Sequence, residues 1–366
     1  MKIPISNIPS LKNSLPYLKK VIHSKWISSN GRMVYKFEKK FSKLVNSKYS
    51  IAMNSGTAAL ISAISCLKKK NTKYVALPSL TFGACCNAIK SNGLKPIFID
   101  SENDHWNISI SDLKKKYNKY KFDIVLVVHL NGYSANITEI KKFCKKKKIK
   151  IIEDCAEALG TKYNKKMLGT FGDIGTYSFF ANKLITTGEG GMCVTNNLKL
   201  LKKMKISQSH GMNPNKKYWH VQEGFNHRMT SLQAALGISQ LEKIKEYINK
   251  RKYNNKIYLN YFKKKNYFQY TNFYKLDKPV MWYFPFVLSE DYSKKKNKLL
   301  KYLYKKKIET REFFYPLDQM KIFSKFPNTI NARKFHKLGF YLPVDTTLNK
   351  NKIMYVCNTI NKFFKK

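Results

Sequence analysis

Arginine is nearly missing from a chain crowded with positive charge. Of 70 basic side chains in 366 residues, only Arg32, Arg228, Arg251, Arg311 and Arg333 are arginine, against 22 acidic residues and a formal net charge of +48. Such a charge invites a polyanion-binding reading, yet surfaces that read bases or clamp phosphates lean on arginine's planar fork. The lysines are spread through most segments beside abundant Asn, Ile, Tyr and Phe, the pattern an AT-rich coding sequence imposes whatever the function. Composition drift is the preferred account, and a basic polyanion-binding protein on a degenerate scaffold stays as the distant alternative. Also lacking is any CxxC spacing among the seven cysteines, which include the adjacent pair Cys85 and Cys86. A disulfide framework or zinc site is therefore not expected. No stretch approaches the roughly 18 apolar residues of a spanning helix, and Met1 to Ser14 lacks the apolar core of a signal peptide. The expectation is a cytoplasmic protein without membrane or nucleic-acid partners.

Hydrophobic residues make up 43% and aromatics 14%, which excludes disorder for most of the chain. At about 150 residues per domain, two to three structural units are expected. Between residues 50 and 200 short apolar runs alternate with amphipathic ones. The expected strands are Tyr74–Pro78, Pro96–Asp100, Ile124–His129, Ile149–Glu153, Thr176–Phe180 and Met192–Thr195. Helices are expected at Thr57–Leu67, Ala84–Ser91, Ile137–Lys148 and Leu198–Lys205. This alternation implies a largely parallel sheet covered on both faces. Ser231–Tyr247 reads as one long helix near a 3.6 period. Beyond it, strand-like Tyr283–Leu288 precedes an amphipathic helix at Lys295–Lys306. The expected division is a large domain over 1–247 and a small α+β domain over 248–366. The lysine runs 145–148 and 305–307 read as solvated helix C-terminal ends, where cations suit the dipole.

Three segments carry chemistry. In Met53-Asn54-Ser55-Gly56-Thr57-Ala58-Ala59-Leu60 a small-residue turn follows an apolar run and opens a helix. Free N–H groups at that positive end form a phosphate cradle, and simple capping is the competing reading. In Ile151-Ile152-Glu153-Asp154-Cys155-Ala156-Glu157 two carboxylates close a buried-type strand. Ligands bind at such carboxyl ends, where a carboxylate can hold a protonated heterocyclic nitrogen or merely cap the next element. In Gly172–Gly191, Lys183 is the only lysine between Met167 and Leu198. Placed between an aromatic strand and a glycine-rich return, its ammonium can be neutralised by desolvation and form a Schiff base; an ordinary solvent-facing lysine is the alternative.

The ordered motifs NSGTAAL, VHLNG, IIEDCAEALG, GDIGTYSFFANKLITTGEGGMCVTN and YWH…GFNHRMTSLQAALG together resemble the DegT/DnrJ/StrS family of sugar aminotransferases. The likeness runs from about Trp26 to about Pro343. Within the family, SFFANKLITTGEGGM and IETREFFYPLDQM are most similar to the branch that makes GDP-perosamine. The resemblance implies an α/β, aspartate aminotransferase-like type I fold, with a mostly parallel large domain and a small C-terminal α+β domain. It also implies a homodimer holding pyridoxal 5′-phosphate (PLP) in active sites shared between subunits.

Motif by motif, the resemblance makes Lys183 the Schiff-base lysine and Asp154 the partner of the pyridinium nitrogen. Glu157 falls near the cofactor's 3′-oxygen, and Phe82 matches the aromatic on the ring face. Ser55, Gly56, Thr57 and Ser178 would hold the phosphate, with Asn226 reaching it from the other subunit. Trp219, His220, Arg228 and Tyr315 are candidates for substrate contacts, with core packing the rival account of the aromatics. The implied reaction takes an amino group from L-glutamate, passes through pyridoxamine 5′-phosphate, and aminates C4 of a nucleotide-linked 4-keto-6-deoxyhexose. Amination at C3, or of a UDP- or dTDP-linked sugar, is the alternative. His129-Leu130-Asn131-Gly132 departs from the family's HLYG, and Asn226-His227-Arg228-Met229-Thr230 from NYRMT; both bear on the sugar. Lys183 stands where a dehydratase branch carries histidine, which argues against dehydration.

Overall fold

The computed structural model describes residues 2–269, 279–324 and 328–365. Two short helices, α1 (Leu15–His23) and α2 (Arg32–Val45), lead into β1 (Tyr49–Met53), α3 (Gly56–Leu67), β2 (Tyr74–Pro78), α4 (Gly83–Ser91) and β3 (Lys95–Ile99). Next come α5 (Ile110–Tyr120), β4 (Ile124–Val128), α6 (Ile137–Lys147) and β5 (Lys150–Asp154). A small hairpin, β6 (Lys162–Tyr163) and β7 (Lys166–Met167), precedes β8 (Ile174–Ser178), β9 (Gly191–Thr195) and α7 (Leu198–Ser207). The long strands form one seven-stranded sheet in the order β1-β9-β8-β5-β4-β2-β3, parallel from β8 to β3 and antiparallel at β9. The expected mostly parallel sheet is present.

Strand burial explains why these segments read as apolar runs. In β4, Ile124, Leu126 and Val128 join a cluster with α3 and α4, while Val125 and Val127 pack with Leu113 of α5 and Ile137 and Ile140 of α6. A strand buried on both faces has no polar alternation to show. Of the seven strands of this sheet the sequence reading left out β1, which pairs antiparallel with β9 and sits at the sheet edge.

The long helix expected at Ser231–Tyr247 is two helices, α8 (Ser231–Glu242) and α9 (Ile244–Phe262), broken at Lys243 with φ −97° and ψ 2°. Neither Pro nor Gly marks this break, so the apolar periodicity runs through it unpunctuated. The expected division at 247/248 falls inside α9. Helix α9 buries Arg251, Asn254, Tyr258 and Phe262 against the C-terminal part. That part holds β10 (Phe284–Val287), α10 (Lys296–Lys305), β11 (Arg311–Glu312), α11 (Ile330–Leu338), β12 (Gly339–Leu342) and α12 (Lys350–Phe364). Its sheet is antiparallel, in the order β10-β12-β11. The N-terminal residues belong spatially here too: Ile3 N–H donates to Lys307 O at 2.8 Å and Asn7 N–H to Asp345 Oδ2 at 2.8 Å. Both lysine runs lie exposed at the ends of α6 and α10.

Candidate active site

Strand register brings the chemistry together. Asp154, last in β5, lies opposite Val128 of β4 on one side and Thr176 of β8 on the other. The carboxyl ends of the parallel strands therefore open into one cavity of about 370 Å³, as open α/β sheets favour. Ser55, Gly56, Thr57, Phe82, Asp154, Glu157, Ser178 and Lys183 all line it.

At one end is the turn before α3. Ser55 is the N-cap, its hydroxyl accepting from Ala58 N–H at 3.0 Å, which leaves the first helical N–H groups at a positive end without intrahelical acceptors. The turn is pressed against β8 and β9. A Cβ on Gly191 would come 2.3 Å from Ser55 O, and one on Gly56 would come 2.9 Å from Ser178 Cβ. Glycine at both positions lets the Ser178 hydroxyl and the helix end face the same space.

Asp154 is 6% exposed. Its Oδ1 accepts from Ala156 N–H at 2.9 Å and its Oδ2 from the Cys85 thiol at 3.2 Å. Burial raises its pKa above the usual carboxylate value, against the opposing pull of these bonds and of Lys183. The preceding carboxylate, Glu153, points to the opposite face, as the strand's period of two requires. It pairs with His129 Nε2 at 3.0 Å and accepts from the N–H groups of Gly169, Phe171 and Gly172. Burial pushes Glu153 up, but these bonds outweigh it and hold its pKa low. Because Ala135 N–H donates to His129 Nδ1 at 3.1 Å, the ring proton lies on Nε2, facing Glu153. His129, Glu153 and Cys155 lie close enough to suggest a metal site, but the histidine and the carboxylate are already committed to this network.

Lys183 Nζ lies 4.0 Å from Glu157 Oε1 and 4.1 Å from the centroid of the Trp282 ring. Burial lowers the Lys183 pKa, with Glu157 and Asp154 opposing. Burial likewise raises Glu157 to about 7, with Lys183 and the Asn131 N–H bond opposing. Desolvation thus drives both members toward their neutral forms. A positive helix end, a buried acceptor and an amine made less basic by burial are complementary to a phosphate, a protonated ring nitrogen and an aldehyde carbon. That donor set fits PLP.

The remaining expected residues do not line this cavity within the same chain. Asn226 is exposed, and its backbone O accepts from Asn54 Nδ2 at 2.9 Å. The Arg228 guanidinium donates to Ser29 Oγ and Ser209 Oγ at 3.1 and 3.0 Å. His220 Nδ1 approaches His210 O at 2.8 Å, and Trp219 is 55% exposed beneath Lys216. Tyr315, also 55% exposed, packs on the His336 ring at 4.0 Å. Conversely, Cys85, Asn182, Trp282, Arg311 and Phe314 line the cavity without having been singled out. Trp282 and Arg311 carried a compositional signal, as one of four tryptophans and one of five arginines.

Comparison with known proteins agrees with this geometry. The model of the DegT/DnrJ/EryC1/StrS aminotransferase family matches residues 10–361. The chain is similar to a GDP-perosamine synthase of Escherichia coli O157:H7, 37% identical over 95% of this chain and 94% of that one. Another such synthase, from Vibrio cholerae, is 32% identical over 97% and 98%. Among solved structures, a Helicobacter pylori aminotransferase involved in the biosynthesis of pseudoaminic acid superposes with a TM-score of 0.93 at 27% identity, covering 100% of both chains. The chain belongs to the DegT/DnrJ/EryC1/StrS aminotransferase family and is a PLP-dependent enzyme.

Proposed function

We propose that this enzyme is a homodimer that moves the amino group of L-glutamate to C4 of a nucleotide-linked 4-keto-6-deoxyhexose, with GDP-perosamine the product of first choice. The observation that carries the chemistry is Lys183, buried in one cavity with Asp154 and Glu157. The GDP-perosamine synthases among its relatives support the choice of sugar.

When bound, PLP supplies an electron sink for the carbon that gives up its proton. The α3 end, through Ser55, Gly56 and Thr57, and the Ser178 hydroxyl hold the phosphate. Asp154, insulated from water and fixed by Ala156 N–H, keeps a proton on the ring nitrogen. Phe82, 62% exposed in the single chain, and Glu157 would help hold the cofactor's ring. Lys183, made less basic by burial, would hold the cofactor and would serve as the base and acid that moves the proton in each half-reaction. One amine does both jobs, so no further acid or base is needed.

Dimerisation completes the site in this reading. Trp26, Ile27, Tyr218, Trp219 and Phe225 are 56, 52, 76, 55 and 44% exposed, and large exposed apolar groups mark interaction surfaces. The outward-facing Asn226 reaches the phosphate of the neighbouring subunit, and Trp219, His220, Arg228 and Tyr315 contribute to the sugar side. The test is turnover with L-glutamate on GDP-, UDP- and dTDP-linked keto sugars, with the new amine located by NMR. Amination of the GDP sugar at C4 is expected. An amine at C3, a preference for another nucleotide, or no turnover with any of them overturns the proposal.

A further inference from the structure

We propose that the thiol of Cys85 positions Asp154, and through it the ring of the bound cofactor. All seven cysteines are buried, and among the described residues Cys85 alone of them lines the reaction cavity. It stands in the first turn of α4, so the helix fixes where its side chain starts. The Cys85 thiol donates to Asp154 Oδ2 at 3.2 Å, while Ala156 N–H holds Oδ1 at 2.9 Å. Thr81, 2% exposed, brings its Oγ1 to 3.5 Å from the same sulfur. With the thiol proton given to Asp154, the Thr81 hydroxyl donates to Sγ. Thr81, Cys85 and Asp154 thus form a buried line of hydrogen bonds that ends at the cavity.

Each link has a physical reason. The carboxyl torsion of an aspartate is broad and roughly two-fold, so one bond to Oδ1 would leave the plane of Asp154 free to swing. A second donor on Oδ2 stops it. An ionised carboxylate has about four acceptor sites, and Asp154 still lines the cavity, so capacity remains for a protonated ring nitrogen. Burial, with the Asp154 charge beside it, pushes the Cys85 thiol well above its usual pKa, which keeps the proton on sulfur. A thiol held in that form is neither nucleophile nor metal ligand, and positioning is what it can contribute. It is also a weak donor. It fixes the plane of the carboxylate while withdrawing little of the charge that holds the ring proton.

This inference rests on the reading of Asp154 as the partner of the cofactor's ring nitrogen, and its test needs no turnover. In cofactor-free protein, the infrared S–H stretching band that Cys85→Ser removes separates this thiol from the other six cysteines. That band is expected below those of the other thiols, as for a donor to an anion, and to rise in Asp154→Asn. It should rise too when the parent is loaded with PLP, as the charge of Asp154 is then shared with the ring. PLP titration is the second arm. Cys85→Ala is expected to weaken cofactor binding by roughly 3- to 10-fold, the range for one hydrogen bond, and Cys85→Ser, which still donates, to restore it. Thermal melting of the cofactor-free variants establishes that the fold is intact. A band that ignores Asp154→Asn or cofactor loading, unchanged affinity in Cys85→Ala, or failure of serine to restore it overturns the assignment. If Asp154→Asn bound PLP as tightly as the parent, the reading of Asp154 would fall and take this inference with it. A weakened Asp154→Asn beside an unaltered Cys85→Ala would sink this inference alone.

Discussion

The cavity has two walls built on different principles. The wall from the seven-stranded sheet presents Ser55 to Thr57, Asp154, Ser178 and Lys183, groups set at strand ends and a helix start. The wall from the C-terminal part presents Trp282, Arg311 and Phe314, an aromatic surface with one cation. The first carries the groups that the proposed reading assigns to proton transfer and phosphate binding. The second shapes the space: Trp282 Nε1–H donates to Asn182 O at 3.0 Å and its ring covers Lys183, tying the reactive loop to the opposite side. Substitutions in the two walls should therefore fail in different ways.

The sharpest contrast is between Lys183 and Trp282. In the proposed reading Lys183→Ala removes cofactor attachment and proton transfer together, so turnover is expected to fall by roughly 10⁴-fold or more. The melting temperature of the cofactor-free protein should scarcely move, since the loss relieves a desolvated cation. Trp282→Ala empties a large buried site, 4% exposed, and is expected to cost about 3–5 kcal/mol in urea unfolding. Trp282→Phe keeps most of the packing and gives up the bond to Asn182 O, for a cost of about 1 kcal/mol and a modest fall in turnover. If Trp282→Phe lost as much turnover as Lys183→Ala, the division between a reacting wall and a shaping wall would be wrong.

The same division explains what could be read from the sequence. The reacting wall is local: Asp154 closes an apolar strand, Ser55-Gly56-Thr57 opens a helix, and Lys183 stands alone in a lysine-free stretch. Each is visible within a dozen residues. The shaping wall is not local, because Trp282 and Arg311 reach the cavity through the pairing of β11 and β10 with β12, which no periodicity reports. An aromatic run such as Val280–Phe286 looks like any core strand. Arg311 carried a compositional signal, the rarity of arginine, but rarity alone does not say which of five is engaged by protein and which is left facing a cavity. The break at Lys243 escaped for a related reason: buried positions continue on both sides of it, so the helix changes direction without changing its pattern.

The effect that leaves turnover aside is the most diagnostic of how the walls meet. Glu157 is held by the large-domain wall yet feels Arg311 across the cavity, and burial raises its pKa from 4.5 to about 7. Below pH 4.5 it is protonated whether the chain is folded or unfolded. Between 4.5 and 7 the unfolded chain gives up the proton while the folded chain keeps it, so stability declines with rising pH, by about 1.4 kcal/mol per unit. Above 7 the penalty is constant at about 3 kcal/mol. Glu157→Gln should therefore gain stability over the parent across that window in cofactor-free protein. The difference between the two cancels other buried carboxyls such as Glu38, which is also raised to about 7 by burial. Because Lys183 opposes the shift, the Lys183→Ala background should carry the decline to higher pH. Arg311→Met, which removes a second opposing charge, should do so to a lesser degree. Denaturant titrations at half-unit pH steps would read all three. A flat difference between Glu157→Gln and its parent would show that Glu157 ionises as an ordinary surface carboxylate, and the picture of a desolvated cavity shared by both walls would fail with it.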